Sequence, residues 1–311
     1  MGIVVFGSFV VDLTSRSAGL PLPGQTLKGS TFRYGAGGKG SNQAVAAHRA
    51  GATVTLVTKV GRDFFGKVAL DFYRNEGMDT RYILEDAERE TGVALIMVDE
   101  VSAQNAIVVV SGACANFTAE DVTACSPLIE QSSILLLQQE INPDALYRVI
   151  DIAHAAGVRI VLNPAPAAPI PDEVLRKVDI LTPNETEAQA LTGVAIHNQA
   201  DARKAAGILL SKGVRAVVIT MGSLGAFVMD SAGGHMIDSL KVEVLDTTGA
   251  GDAFNGGFVT ALGEGMGLMD AARFGNVTGA LSVTRPGTAP SMPARGEIDA
   301  LFLKTYGGSA K

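Results

Sequence analysis

The chain has 311 residues, 47% of them apolar, enough to bury a large core in one or two domains. Its 32 acidic residues outnumber 25 basic ones, and a net charge of −7 argues against a nucleic-acid surface, which needs a basic stripe. Cys114 and Cys125 alone, without Cys-x-x-Cys spacing, exclude a disulfide framework. No apolar run approaches the ~20 residues of a membrane helix, so the expectation is a soluble cytoplasmic protein.

The first residues carry no basic leader or cleavage site and read as a strand over Ile3–Phe6, apolar enough to be buried on both faces. Asp12 lies just past its carboxyl end, where open parallel sheets bind ligands, and is a candidate site residue. Residues 13–34 are rich in Pro, Gly, Ser and Thr and read as short strands. Residues 91–111 hold two more, around Val93, Leu95 and Met97 and around Ile107, Val108 and Val109, flanking a polar turn at 99–105. Both stretches interrupt a β/α rhythm. Together they predict a small sheet standing off a single domain, 1–311, as a lid.

Between them, Gly35, Gly37 and Gly40 match a dinucleotide-binding spacing, but no core strand precedes them and Thr58-Lys59, with no acidic residue, end the next strand. A Walker loop is excluded as well, because Gly40 follows Lys39 where Ser or Thr is required. A helix is expected over 44–50, closed by Gly51. Lys39 and Asn42, one turn apart at the helix start, can face the same polar ligand.

Further strands are expected at 54–60, 134–137, 158–162, 180–182 and 214–220, and helices at 63–75, 119–130 with Thr118 as cap, 145–156 and 271–283. Phe64, Val68 and Phe72 repeat at helical spacing and are assigned to the core. Glu140 follows the carboxyl end of its strand. Asn184 and Glu187, three apart at a helix start, either close a capping box or offer hard oxygens to Mg²⁺ held largely through water. His48, His154, His197 and His235 are scattered, without metal spacing.

The most informative stretch is Asp246-Thr247-Thr248-Gly249-Ala250-Gly251-Asp252-Ala253-Phe254. An apolar run (Val242, Val244, Leu245) suggests a strand leading in, and 253–262 reads as a helix. Small residues at such a turn leave the first N–H groups of the helix bare, and with the helix dipole they form an anion site. Asp252 stands at its mouth. A carboxylate beside an anion pocket makes sense where a phosphate is passed to a hydroxyl: the pocket, formed by Gly249, Ala250 and Gly251, holds phosphoryl oxygens while Asp252 orients the hydroxyl and takes its proton.

Taken together, Gly-Gly-Lys-Gly-Ser-Asn at 37–42 and Asp-Thr-Thr-Gly-Ala-Gly-Asp at 246–252 resemble the two signatures of the ribokinase (PfkB) family of ATP-dependent carbohydrate kinases. The resemblance implies a three-layer α/β/α sandwich, a Rossmann-like, mostly parallel sheet with a small β lid. It implies transfer of the γ-phosphate of Mg-ATP to the primary hydroxyl of a pentose, D-ribose first. Asp12, Gly38, Lys39, Asn42, Glu140 and Asp252 would hold the sugar. Asn184, Thr220, Gly222, Gly225 and Gly251 would line the nucleotide, with Asn276 by the adenine and Asn184 and Glu187 near the metal and phosphates. A monovalent cation, K⁺, would sit beneath the anion pocket at Asp246, Thr248, Ser282, Arg285, Gly287 and Ser291, mostly on carbonyls. The exposed lid sheet implies a homodimer pairing lid on lid.

One departure stands out: Val10 occupies the position, two before Asp12, where similar ribokinases carry Asn. An apolar residue there suits 2-deoxyribose, as in the related deoxyribokinases. Other sugar or nucleoside kinases of the family stay open, and so does a sugar or nucleotide sensor without catalysis, although retention of Asp252, the glycine pocket and Asn184/Glu187 speaks against the sensor.

Overall fold

The computed structural model describes residues 2–102 and 104–307. Residue 103, in the expected turn at 99–105, and residues 1 and 308–311 lie outside the described residues. In chain order the strands are β1 (Ile3–Phe6), β2 (Val10–Ser17), β3 (Thr31–Gly37), β4 (Val54–Gly61), β5 (Ile83–Asp86), β6 (Thr91–Asp99), β7 (Asn105–Gly112), β8 (Ile134–Leu137), β9 (Arg159–Leu162), β10 (Ile180–Leu181), β11 (Ala216–Thr220), β12 (Ala226–Asp230) and β13 (Gly233–Ile237). The helices are α1 (Lys39–Arg49), α2 (Phe64–Asn75), α3 (Ala119–Glu130), α4 (Pro143–Ala155), α5 (Asp172–Leu175), α6 (Glu185–Thr192), α7 (Gln199–Ser211), α8 (Ala250–Gly263), α9 (Leu268–Ser282) and α10 (Arg295–Tyr306).

The large sheet has the order β13-β12-β11-β10-β9-β8-β1-β4-β5, parallel except for β12 and β13 at one edge. Its central strands are short apolar runs whose alternate side chains serve opposite faces. Ile3, Val5, Ile134 and Leu136 join one cluster with α1, α2, α8, α9 and α10; Val4, Phe6, Leu135 and Leu137 join the other with α3, α4, α6 and α7. The result is the expected α/β/α sandwich. Thr118 closes a capping box with Asp121 at the start of α3. No helix among the described residues is long and apolar enough to cross a membrane.

A second sheet, order β3-β2-β6-β7, stands beside the first, with β2 and β6 parallel and the other pairs antiparallel. At its root the buried Lys59, at the end of β4, pairs with Asp86 (3.1 Å) and Asp121 (2.8 Å) and donates to the Asn116 carbonyl (2.8 Å). This ties the ends of β4 and β5 to the chain leaving β7.

Several local expectations are corrected. Helix α1 begins at Lys39, not 44, so the Gly-Ser-Asn run is its first turn, and α8 begins at Ala250, not 253. The approach to α8 is irregular chain, not a strand: Val244 and Leu245 are 58% and 65% exposed, and the segment is held by Leu245 and Asp246 N–H groups on the Val283 carbonyl. Phe64 is 66% exposed because it sits at the first turn of α2, beyond the core. The fully buried stripe is Gly66, Ala69 and Tyr73, while Val68 and Phe72 are only partly covered.

Candidate active site

Asp252 is the third residue of α8, whose N-cap is Gly249. Helix geometry leaves the first N–H groups unpaired. The Ala250 N–H turns back to the Thr247 carbonyl (3.2 Å), so among the described residues the Gly251 and Asp252 N–H groups remain the free donors of the turn. Gly251 is exposed and Gly249 and Ala250 half-buried, so this cradle opens outward, whereas Asp252 is buried. Its side chain does not cap its own helix. It crosses to α1, where Asn42 Nδ2 donates to Oδ2 and Gln43 Nε2 to Oδ1, each at 2.9 Å. The helices come this close because Gly256 faces α1; a Cβ there would lie 2.7 Å from the Gln43 carbonyl.

The first turn of α1, opened by Gly38 as N-cap, holds the next carboxylate. Glu140 Oε2 accepts from the Lys39 N–H (2.9 Å) and from Ser8 Oγ (2.5 Å). Asp12, on β2, accepts from Thr288 Oγ1 at 3.1 Å. Lys39 is held above its ordinary value chiefly by Asp252, with Glu140 and Glu187 adding to it against the cost of burial. Burial raises the Asp252 carboxyl, Lys39, Asn42 and Gln43 draw it back, and Glu140 pushes it up again. Burial likewise raises Glu187. Asp12 is pushed up to about 6, by burial first and by Glu140 and Asp252 after it, with Thr288 opposing. The site thus gathers Glu140, Glu187 and Asp252 around one ammonium, with Asp12 facing Glu140 and Asp252.

That crowding has a sign. A carboxyl whose folded pKa is raised from 3.8 to about 6 contributes least to stability above pH 6, and the deficit vanishes as pH falls towards 4. Asp12→Asn therefore raises stability at pH 8 by about 1–3 kcal/mol, a few degrees in Tm, and the gain fades between pH 6 and 4. Thermal melts of both proteins across that range check it; a gain independent of pH contradicts it.

Asn184 and Glu187 form a capping box at the start of α6: Asn184 Oδ1 accepts from the Glu187 N–H (2.8 Å), while Glu187 accepts from the Asn184 N–H (2.9 Å) and Nδ2 (3.0 Å). With both Glu187 oxygens engaged, contact to a cation through water leaves the box intact. Thr220 pairs with Asn184 as an isolated parallel bridge, and Gly222 and Gly225 bound the 3-10 turn that follows β11. Asn276 lies apart on α9 and donates to the Asp238 carbonyl (2.9 Å). Asp246 ties two loops together, accepting from the Thr248 N–H and the Gly287 N–H, both at 2.9 Å. Burial pushes its carboxyl up, but these hydrogen bonds outweigh burial and hold it low. Ser282 O accepts from the Arg285 N–H, and Ser291 Oγ donates to the Thr288 carbonyl. The Arg285 guanidinium is turned to Glu297. Among the described residues no group of three or more His, Cys, Asp or Glu side chains is placed to hold a metal, so a cation here falls to carbonyls and water.

Ser8, Gln43 and Thr288 went unnoticed in the sequence. Ser8 lies just beyond β1 and Gln43 beside Asn42, positions that the strand-end rule and the helix start already mark; nothing local marks Thr288.

The pfkB family carbohydrate kinase model matches residues 2–295. The chain is 42% identical to the ribokinase of Haemophilus influenzae over 95% of its own length and 96% of that protein. It is 34% identical to the deoxyribokinase of Salmonella typhi, over 94% and 96%. The structure of Arabidopsis thaliana ribokinase complexed with ribose and ATP superposes with a TM-score of 0.89 at 31% identity, covering 97% of this chain and 98% of that one. With the two helix starts, the small sheet and the carboxylate between them in place, a match of this extent is decisive: the chain belongs to the pfkB family of carbohydrate kinases, phosphotransferases that act on an alcohol group.

Proposed function

We propose that this protein is an ATP-dependent ribose kinase that transfers the γ-phosphate of Mg-ATP to the 5-hydroxyl of D-ribose. The observation that carries the reading is a buried Asp252 carboxylate one residue from the bare N–H groups of α8. Asp252 orients the sugar hydroxyl and accepts its proton, and the unpaired N–H groups of Gly251 and Asp252 hold the transferring oxygens; Ala250, expected in this cradle, has its N–H on the Thr247 carbonyl instead. A loose phosphoryl-transfer transition state needs little beyond this placement and charge stabilisation. Asp12, Gly38, Lys39, Asn42 and Glu140 hold the sugar. Among them Asn42 keeps a buried Oδ1 with no partner among the described residues, an acceptor open to a ligand hydroxyl. Asn184, Thr220, Gly222, Gly225 and Asn276 line the nucleotide.

Magnesium bound with ATP would neutralise phosphate charge, and Asn184 and Glu187 would be the residues to hold it, through water. Asp246, Thr248, Ser282, Arg285, Gly287 and Ser291 would hold K⁺ mostly through backbone carbonyls, which can replace its hydration shell. The small sheet acts as a lid of a single catalytic domain and excludes water. Its face opposite Asp12 presents Phe32, Tyr34, Leu95, Val108 and Val110, all 46% exposed or more, which supports burial against a second copy.

A second reading, 2-deoxyribose as substrate, is favoured by Val10. It is buried and shares the Asp12 face of β2, two residues away. A ribose hydroxyl left unpaired there costs about 1–3 kcal/mol. ADP release with ribose and 2-deoxyribose separates the two readings. The expected result is turnover of ribose, with Val10→Asn raising the ribose-to-deoxyribose ratio of kcat/KM by roughly 10-fold. A strong wild-type preference for deoxyribose favours the second reading, and no turnover of any pentose overturns both.

A further inference from the structure

We infer that Gln43 is a positioning residue for Asp252, tying its carboxylate to the carboxyl ends of the central strands. The inference rests on the proposed kinase reading, in which Asp252 accepts the proton of the sugar hydroxyl. Gln43 is wholly buried. Its Nε2 donates to Asp252 Oδ1 (2.9 Å) and to Asn163 Oδ1 (3.0 Å), and its Oε1 accepts from Gln138 Nε2 (2.7 Å). Asn163 in turn donates to the Thr182 carbonyl (2.8 Å). Gln138, Asn163 and Thr182 are the residues immediately after β8, β9 and β10. Three adjacent strands therefore reach the carboxylate through one amide.

The chain of bonds also determines which way that amide points. A flipped Gln43 would set its carbonyl oxygen against the Asp252 oxygen and its NH₂ against the NH₂ of Gln138. Gln138 is seated against β1 by the absence of a side chain at Gly7, whose Cβ would collide with Gln138 Oε1.

Asn42 and Gln43 divide the work. Asn42 gives one hydrogen bond to Asp252 and keeps a free buried acceptor, as a group that also meets ligand does. Gln43 has both its oxygen and its NH₂ group engaged within the protein and offers a ligand nothing. Its remaining action is on the carboxylate: it fixes the direction of the lone pairs and favours the charged form, which burial disfavours. The charged groups facing Asp252 are Lys39 from α1, Glu140 beyond β8, Asp12 from β2 and Glu187 from α6. None of them reaches Oδ1 in place of Gln43.

The test is kcat against pH at saturating ribose and ATP, with both KM values, for the wild type, Gln43→Leu and Gln43→Glu. The kcat profile reports the ionisation in the ternary complex, after sugar has engaged Asp12. For Gln43→Leu the expected result is a kcat about 10–100-fold lower, KM values within about 3-fold, and an acid limb moved up by about one pH unit. Gln43→Glu keeps the side chain's length and volume and decides the matter if the Leu variant does not fold. Two facing carboxyls share a proton, so its acid limb moves up as well. An acid limb in the wild-type position overturns the inference, whether kcat is unchanged or reduced, since a reduction alone reports packing. An active wild type with indifferent variants sinks only this inference; a wild type inert towards all pentoses sinks the functional reading beneath it.

Discussion

Asp252→Asn lowers kcat by roughly 10²–10⁴ while the protein folds and binds ATP as before. The size follows from the proposed role: a positioned base contributes about that factor, and the N–H groups of α8 that would hold the phosphate are backbone and survive the change. Folding is expected to survive because the site is already rich in carboxylates, and the neutral amide removes a buried charge. One cost remains, since an Asn side chain can accept on one atom only, whereas Asn42 and Gln43 both donate to Asp252. Single-turnover rates together with ATP affinity check the prediction. A near-wild-type rate removes Asp252 from the chemistry.

Gly40→Ala is the second large effect, and it acts through backbone alone. A Cβ on Gly40 would lie 2.5 Å from the Ser8 nitrogen and 2.6 Å from the Gly7 carbonyl carbon, neither of which can yield as a side chain does. The start of α1 must move away from the end of β1, carrying Lys39, Asn42 and Gln43 with it. Overpacking of this kind costs about 1–3 kcal/mol, and a displacement near 1 Å at a reacting centre costs about 10² in rate. The expected outcome is a folded protein with a lower Tm and a kcat/KM for ribose down by roughly 10²-fold. Wild-type kinetics would mean that the helix start does not set the geometry.

Much of this architecture was legible because the main sheet is built from short, wholly apolar runs. Ile3–Phe6 and Ile134–Leu137 can hardly be anything but strands covered on both faces, and Glu140 beyond the second follows from that; Asp12, expected by the same rule just past the first, lies instead within β2 of the small sheet. What escaped was fixed at a distance. Gly, Ser and Asn favour irregular chain locally, yet α1 starts at Lys39 because Glu140, 101 positions away, accepts from its N–H. The residue that meets Asp252 Oδ1 stands 209 positions from it. Phe64 and Leu245 misled in the opposite direction: each is apolar at a suitable spacing but lies past the end of the covered surface. Asn184 and Glu187 were readable as a pair, and the structure supplies the capping box; the same three-residue spacing serves a cap and a cation alike.

The two sheets share the work unequally. Val10 and Asp12 belong to the small one, while Asn42, Glu140 and Asp252 belong to the body. Any molecule that touches both sets spans the joint between them, so part of its binding energy goes into fixing the angle of that joint. If the sugar meets both sets, as proposed, it would be its own latch: a ligand that reached only the body would hold nothing shut, however tightly it bound.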